Sequence, residues 1–159
     1  MLPLESDFFL TLFIFMSVIL GDIHGAYQVF WWWDIFLHTL SGTALGLVGF
    51  TIAYLLVEYS EESRLSSTLF ISFAFGFAVT IGVMWEFIEF IIDNTTSYVM
   101  QHSLQNTMKD LAFDAVGGVV AAIMVYLYLT NKKRFGFMRR VLRKVVQKQK
   151  YNHLTKFFD

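Results

Sequence analysis

Long apolar runs separated by short polar stretches dominate the pattern of this 159-residue chain. A membrane-spanning helix needs roughly 20 mainly apolar residues, and runs of about that length lie at 35–57, 69–92 and 111–130. A first run, Phe8–Leu20, is shorter, and it reaches spanning length only if its helix covers about 6–26. The pattern therefore predicts an all-α integral membrane bundle of four transmembrane helices, with a re-entrant first segment as the alternative.

The C-terminal segment follows a different pattern, in which apolar and basic side chains alternate with a helical period. Val141, Leu142 and Val145 are interleaved with arginines and lysines such as Arg140 and Arg143. This pattern is typical of a basic amphipathic helix on an anionic membrane surface.

We therefore predict a transmembrane domain over 1–131 and a cytoplasmic tail over 132–159 that contacts anionic lipid. Membrane lipids are the expected partners. No nucleic-acid partner is expected, because the basic segment directly follows a predicted span.

Composition supports a membrane location, and the distribution of charge predicts the orientation of the protein in the membrane. The chain is 56% hydrophobic and only 16% charged, which is too apolar for an ordinary soluble domain. Residues 1–130 hold twelve acidic and two basic residues, whereas 131–159 hold ten basic residues and one acidic residue. The positive-inside rule places a basic segment beside a span in the cytoplasm. We therefore expect a protein of the cell (inner) membrane with a cytoplasmic C-terminus.

Three pairs of ionisable side chains lie inside or beside the predicted spans, each pair one helical turn apart. The pairs are Asp34 and His38, Glu86 and Glu89, and Asp110 and Asp114. Spacings of three and four residues put both members on one helix face. Ionisable groups in a membrane cost roughly 3 kcal/mol each even on the lower insertion scale, so they are functional candidates. With the tail in the cytoplasm, all three pairs fall in the outer half of the membrane.

Small residues continue each pair along its helix, which indicates that the pairs face one another. Gly42 and Gly46 follow the first pair, Gly82 precedes the second, and Gly117 and Gly118 follow the third. Small residues line helix contacts in membranes because they let backbones approach.

Carboxylates about 5 Å apart repel by roughly 3 kcal/mol at an effective dielectric near 20. A cation or shared protons must therefore compensate the converging pairs. Oxygen ligands with one imidazole suit a divalent metal. The predicted ligands are Asp34, His38, Glu86, Glu89, Asp110 and Asp114.

Structural roles compete with this interpretation at some positions. Asp34 and Asp110 stand at predicted helix starts, where capping of free N–H groups explains an acid equally well. The two glutamates of the third span lie where the helix dipole disfavours negative charge, and Asp114 lies more than one turn inside its helix. Function is the better explanation for those three residues.

Several motifs resemble known families. Asp34-Ile-Phe-Leu-His38, followed by Ser41-Gly42, resembles the opening of VanZ-like membrane proteins, although no lysine follows Asp34. Trp85-Glu86-Phe87-Ile88-Glu89-Phe90, Lys109-Asp110-Leu111 and Asp114-Ala115-Val116-Gly117-Gly118 resemble still more closely the YjdF-like bacterial inner-membrane proteins. The resemblance covers roughly residues 30–125. The VanZ-like resemblance implies a link to glycopeptide resistance, whereas the YjdF-like resemblance implies no established activity.

We expect a small membrane protein whose metal site binds or acts on an envelope lipid or a lipid-linked substrate. As an enzyme it would be a metal-dependent hydrolase or transferase, with Glu89 as general base. The chain has no cysteine, so a thiol nucleophile is excluded. The alternatives are a proton- or ion-coupled transport protein and a non-catalytic membrane scaffold.

Reporter fusions at the C-terminus test the predicted orientation. We expect a green fluorescent protein fused after residue 159 to fluoresce, and alkaline phosphatase at the same position to stay inactive, because the tail is cytoplasmic. Active phosphatase would instead put the tail outside and the three pairs on the cytoplasmic face.

Overall fold

The computed structural model describes residues 4–58, 66–131 and 136–155, and within these ranges all regular structure is helical. Helix α1 continues directly into a π-helical segment, and five further helices follow. The elements are α1 (Leu4–Ile14), the π-helical segment (Phe15–Ile23), α2 (Ala26–Val29), α3 (Trp33–Glu58), α4 (Ser67–Thr95), α5 (Leu104–Thr130) and α6 (Gly136–Thr155). The predicted all-α class is confirmed.

Three of the described helices, α3, α4 and α5, are long and apolar enough to cross a membrane. They contain 26, 29 and 27 residues, and many large apolar side chains such as Phe87, Ile91 and Ile123 point outward. Lipid is the medium in which so much exposed apolar surface is favourable.

The prediction of four spans is confirmed only for these three. The first segment is divided between α1, of 11 residues, and the π-helical segment, of 9 residues, and neither part alone has the length of a span. Its large apolar side chains, including Phe8, Phe9 and Leu10, are exposed. A first transmembrane helix over about 6–26 stays a prediction.

Glycines bring the three long helices into backbone contact. A Cβ atom added to Gly42 of α3 would lie 2.5 Å from the carbonyl oxygen of Asp114 in α5. A Cβ atom on Gly117 of α5 would overlap the backbone of Thr39 in α3. The glycine-bearing faces are therefore the packing faces, as the sequence predicted.

An apolar core fills one end of the bundle. The Phe50 ring meets Phe70 and Tyr128 edge-on, with centroids 5.8 Å apart in both pairs. Leu142 of α6 is buried in the same cluster, with 3% of its surface exposed. Helix α6 is therefore docked on the bundle rather than separate from it.

The start of α5 differs from the sequence prediction. The helix begins at Leu104 rather than near 111, because the Ser103 hydroxyl accepts from the N–H of Asn106 and caps it. Capping as an explanation for Asp110 is therefore wrong, since Asp110 lies well inside α5. Asp34 does lie in the first turn of α3. The spans predicted at 35–57 and 69–92 fall within α3 and α4.

Gly42→Ala should lower the free energy of unfolding by about 1–3 kcal/mol, because its new methyl group meets rigid backbone rather than a movable side chain. Gly76→Ala is the matched control, since nothing lies within 4 Å of a Cβ atom there. The control should be neutral or stabilising by up to about 1 kcal/mol. Unfolding in detergent micelles, followed by circular dichroism, measures both, and equal stabilities would contradict the packing.

Candidate carboxylate–histidine site

The three predicted pairs lie at the end of the bundle opposite the apolar core. Helix α3 supplies its pair from its first turns, α5 from its first half and α4 from its last turns. The residues are Asp34, His38, Asp110, Asp114, Glu86 and Glu89. The up-and-down order of the three long helices brings these stretches to one level.

His38 is the centre of the site. Its Nδ1 lies 3.3 Å from Oδ1 of the buried Asp114. Its Nε2 lies 3.6 Å from Oδ1 of Asp34 and 3.9 Å from Oδ1 of Asp110. An ionised carboxylate can only accept a hydrogen bond, so this contact with an ionised Asp114 requires the tautomer of His38 in which Nδ1 is the N–H donor. Nε2 then faces two carboxylates.

Three of the predicted ligands form a group that could hold a metal ion. Asp34, His38 and Asp110 each offer one ligand atom, and these atoms lie within 4.8 Å of one another. In a tetrahedral site with bonds of about 2.1 Å, neighbouring ligand atoms are about 3.4 Å apart. We call these three residues the triad. Small side-chain rotations would bring its atoms to that spacing.

Asn106 orients both carboxylates of the triad. Its Nδ2 donates to Oδ2 of Asp110 and, at 3.3 Å, to Oδ2 of Asp34. Because the amide holds the two Oδ2 atoms, both Oδ1 atoms remain on the side of His38. Sequence reasoning missed Asn106, although it stands four residues before Asp110 and therefore on the same helix face.

The α4 glutamates lie outside the triad. Glu86 is buried, with 5% exposure, and its Oε2 accepts from Nε2 of Gln101 at 3.2 Å, while Oε1 has no partner among the described residues. Glu89 is half-buried and accepts from Nε1 of Trp85 at 2.9 Å. The structure thus brings three of the six predicted ligands together, with Asp114 on the far side of the imidazole.

The loop between α4 and α5 is fastened to the end of α4. The Asp93 carboxylate accepts from the N–H groups of Met100, at 2.6 Å, and Gln101, at 3.0 Å. This places the Gln101 amide against Glu86, to whose carbonyl oxygen it also donates at 3.0 Å. Neither contact was predicted, because loop residues follow no helical period.

Tyr27 of α2 lies beside the site and was also missed. Its ring packs on Gly21, where a Cβ atom would come within 2.8 Å of Cζ. Burial raises the pKa of the Tyr27 hydroxyl, and the negative charges of Asp34, Asp22 and Glu89 raise it further. The phenol therefore stays protonated at neutral pH and can donate a hydrogen bond in this acidic region.

Residues 1–131 match a family described as "Predicted membrane protein (DUF2238)". The chain belongs to this family. An uncharacterised protein of Thermotoga maritima is 28% identical over 135 residues, which are 82% of this chain and 67% of the relative. No solved structure matches the chain. The family confirms a membrane protein and agrees with the YjdF-like resemblance, whereas the VanZ-like resemblance stays a prediction.

Gln101→Ala should lower the free energy of unfolding by about 1–3 kcal/mol, because the buried Glu86 carboxylate loses its donor. The loss should shrink in a Glu86→Gln background, which removes the charge that needs the donor. Gln105→Ala, an exposed amide in the first turn of α5, is the control and should stay within about 0.5 kcal/mol. Equal losses with and without Glu86 would contradict the contact.

Proposed function

We propose that this protein binds a divalent cation at Asp34, His38 and Asp110, and that this site binds or acts on an envelope lipid or a lipid-linked substrate. The observation that carries the proposal is the position of Nε2 of His38, which faces Asp34 and Asp110 while Nδ1 is held by Asp114. Three electronegative atoms that converge in this way repel one another unless a cation or a proton lies between them.

Charge balance supports a cation. Within the described residues, the only ion pairs of Asp34, Asp110 and Asp114 are with His38. One imidazolium cannot neutralise three carboxylates, two of them buried. A divalent ion offsets two of the three negative charges, whereas an imidazolium offsets one, and oxygen and imidazole ligands suit ions such as zinc or manganese. Asp114 would fix the ring orientation, as carboxylates commonly do for metal-bound histidines.

The ligand number supports catalysis as well as binding. Catalytic metal sites commonly use three protein ligands and leave a position for water or substrate. An ion held by Asp34, His38 and Asp110 would polarise a phosphoryl or acyl oxygen, or would activate a water molecule. Glu89 is outside the triad, partly accessible and close enough to His38 and Asp34 to interact with their charges. We assign it the role of general base, with its carboxylate oriented by Trp85.

Aromatic side chains at the same level support a lipid substrate. Trp31 and Trp32 stand three and two residues before Asp34 and are 82% and 42% exposed, and Phe36 is also exposed. Tryptophans mark the depth of lipid headgroups in membrane proteins. The triad then lies at headgroup depth, and with the basic tail in the cytoplasm it faces the outer leaflet.

Elemental analysis of the purified protein tests the site. We expect stoichiometric divalent metal in the wild type and its loss in Asp34→Asn/Asp110→Asn, which removes two of three ligands. Asp22→Asn, an exposed acid on the same side, should keep the metal. Glu89→Gln should also keep it while lowering lipid turnover by about 10²–10⁴-fold, as expected for loss of a general base.

A wild type without stoichiometric metal at neutral pH would contradict the proposal. The same cluster would then have to balance its charge with shared protons, as in a proton-coupled transport protein. A pH-dependent flux in liposomes, abolished by Asp110→Asn, distinguishes that function.

A further inference from the structure

Helix α6 has one apolar and one basic face, and its apolar face packs on the bundle. Leu142 is buried in the core with Phe50, Phe70 and Tyr128, and Val145 beside it is half-buried. This contact turns the Leu142 side of α6 toward the end of the bundle. The basic side chains therefore project from a docked helix rather than from a free tail.

The three arginines of α6 lie on two sides of the helix. Arg139 and Arg143 stand four residues apart and therefore on one side of the helix, next to the buried face. Both lie close enough to Tyr128 to act on it electrostatically. Arg140 stands two residues before Leu142, which places it on the opposite side. All three arginines are exposed, and α6 contains no acidic residue.

The position of the arginines along the bundle matches headgroup depth. Tyr126 and Leu127 of α5, the immediate neighbours of Tyr128, are exposed at 53% and 42%. Leu56 of α3 and Leu69 of α4 are exposed near the corresponding helix ends. A rim of arginines therefore borders an apolar belt, which is the arrangement expected where acyl chains end and headgroups begin.

We propose that Arg139, Arg140 and Arg143 form a binding surface for anionic phospholipid headgroups. Leu142 anchors this surface at its end of the bundle. The ligand is a negatively charged bilayer lipid, because α6 carries basic and no acidic side chains beside a lipid-facing belt. This surface lies at the end opposite the triad. It does not depend on the metal or on any reaction there.

Lipid binding to the purified full-length protein in neutral detergent tests the proposal. Native mass spectrometry would give apparent dissociation constants for phosphatidylglycerol, as the anionic probe, and phosphatidylcholine, as the neutral one. We expect the wild type to prefer phosphatidylglycerol, and this preference to weaken as salt rises. Arg139→Gln/Arg140→Gln/Arg143→Gln should bind phosphatidylglycerol about fivefold more weakly per arginine removed, from about 1 kcal/mol per basic residue.

Two further variants keep the experiment decisive. Lys109→Gln removes an exposed basic residue from the site end and should leave the preference unchanged. Arg140→Gln alone acts on the side away from Tyr128, so it should weaken binding about fivefold without disturbing the core, even if the triple variant is unstable. Equal affinity of the wild type for both lipids, or unchanged phosphatidylglycerol affinity in Arg140→Gln and the triple variant, would overturn the proposal. Such a result would instead favour a protein or a nucleic acid as the partner of α6.

Discussion

Asp114 is the point at which all three long helices touch, and the arrangement of the charged end depends on its contacts. Its backbone lies directly on Gly42 of α3, and its carboxylate lies where a side chain on Gly82 of α4 would be. The same carboxylate holds Nδ1 of His38. These contacts need two glycines and an acid at one level. The packing of the three helices and the orientation of the imidazole therefore depend on the same residue.

The two ends of the bundle are packed in different ways. At one end, Phe50, Phe70, Tyr128 and Leu142 fill the space between helices with rings and methyl groups, and this end needs no charge. At the other end, glycines and carboxylates stand where the apolar core has large side chains, so polar contacts must complete the packing. Asn106 and Gln101 supply such contacts from α5 and from the loop before it.

Helical periodicity was enough to predict the three long helices and the faces on which they meet. The spacing of Asp34 and His38, and the glycines on the same face of α3, point directly to the face that contacts α5. Helical periodicity shows on which face of a helix a residue lies, but it does not show the level of that residue along the bundle. Gly82, not Glu86, reaches the level of Asp114 on α4, so Glu86 and Glu89 lie one turn and two turns beyond the level of Asp114.

The residues that sequence reasoning missed come mainly from segments without a period. Gln101 belongs to a loop whose path is set by Asp93, and Tyr27 belongs to a short helix whose position depends on Gly21. Such contacts depend on how a chain turns, and no regular spacing encodes that. Asn106 is the exception, since its spacing from Asp110 was available and pointed to the shared face.

For the cation proposed at the triad, the backbone contacts at Gly42 and Gly117 would have a consequence for selectivity. With the helices already touching, α3 and α5 cannot move closer to grip a smaller ion, and Asn106 limits how far Asp34 and Asp110 can separate for a larger one. Side-chain rotations could then adjust the ligand atoms only about a fixed helix spacing, which would favour some ionic radii over others. Calcium, which takes six to eight oxygens at about 2.3–2.6 Å, would fit such a site poorly, and a smaller ion with fewer ligands would fit it better.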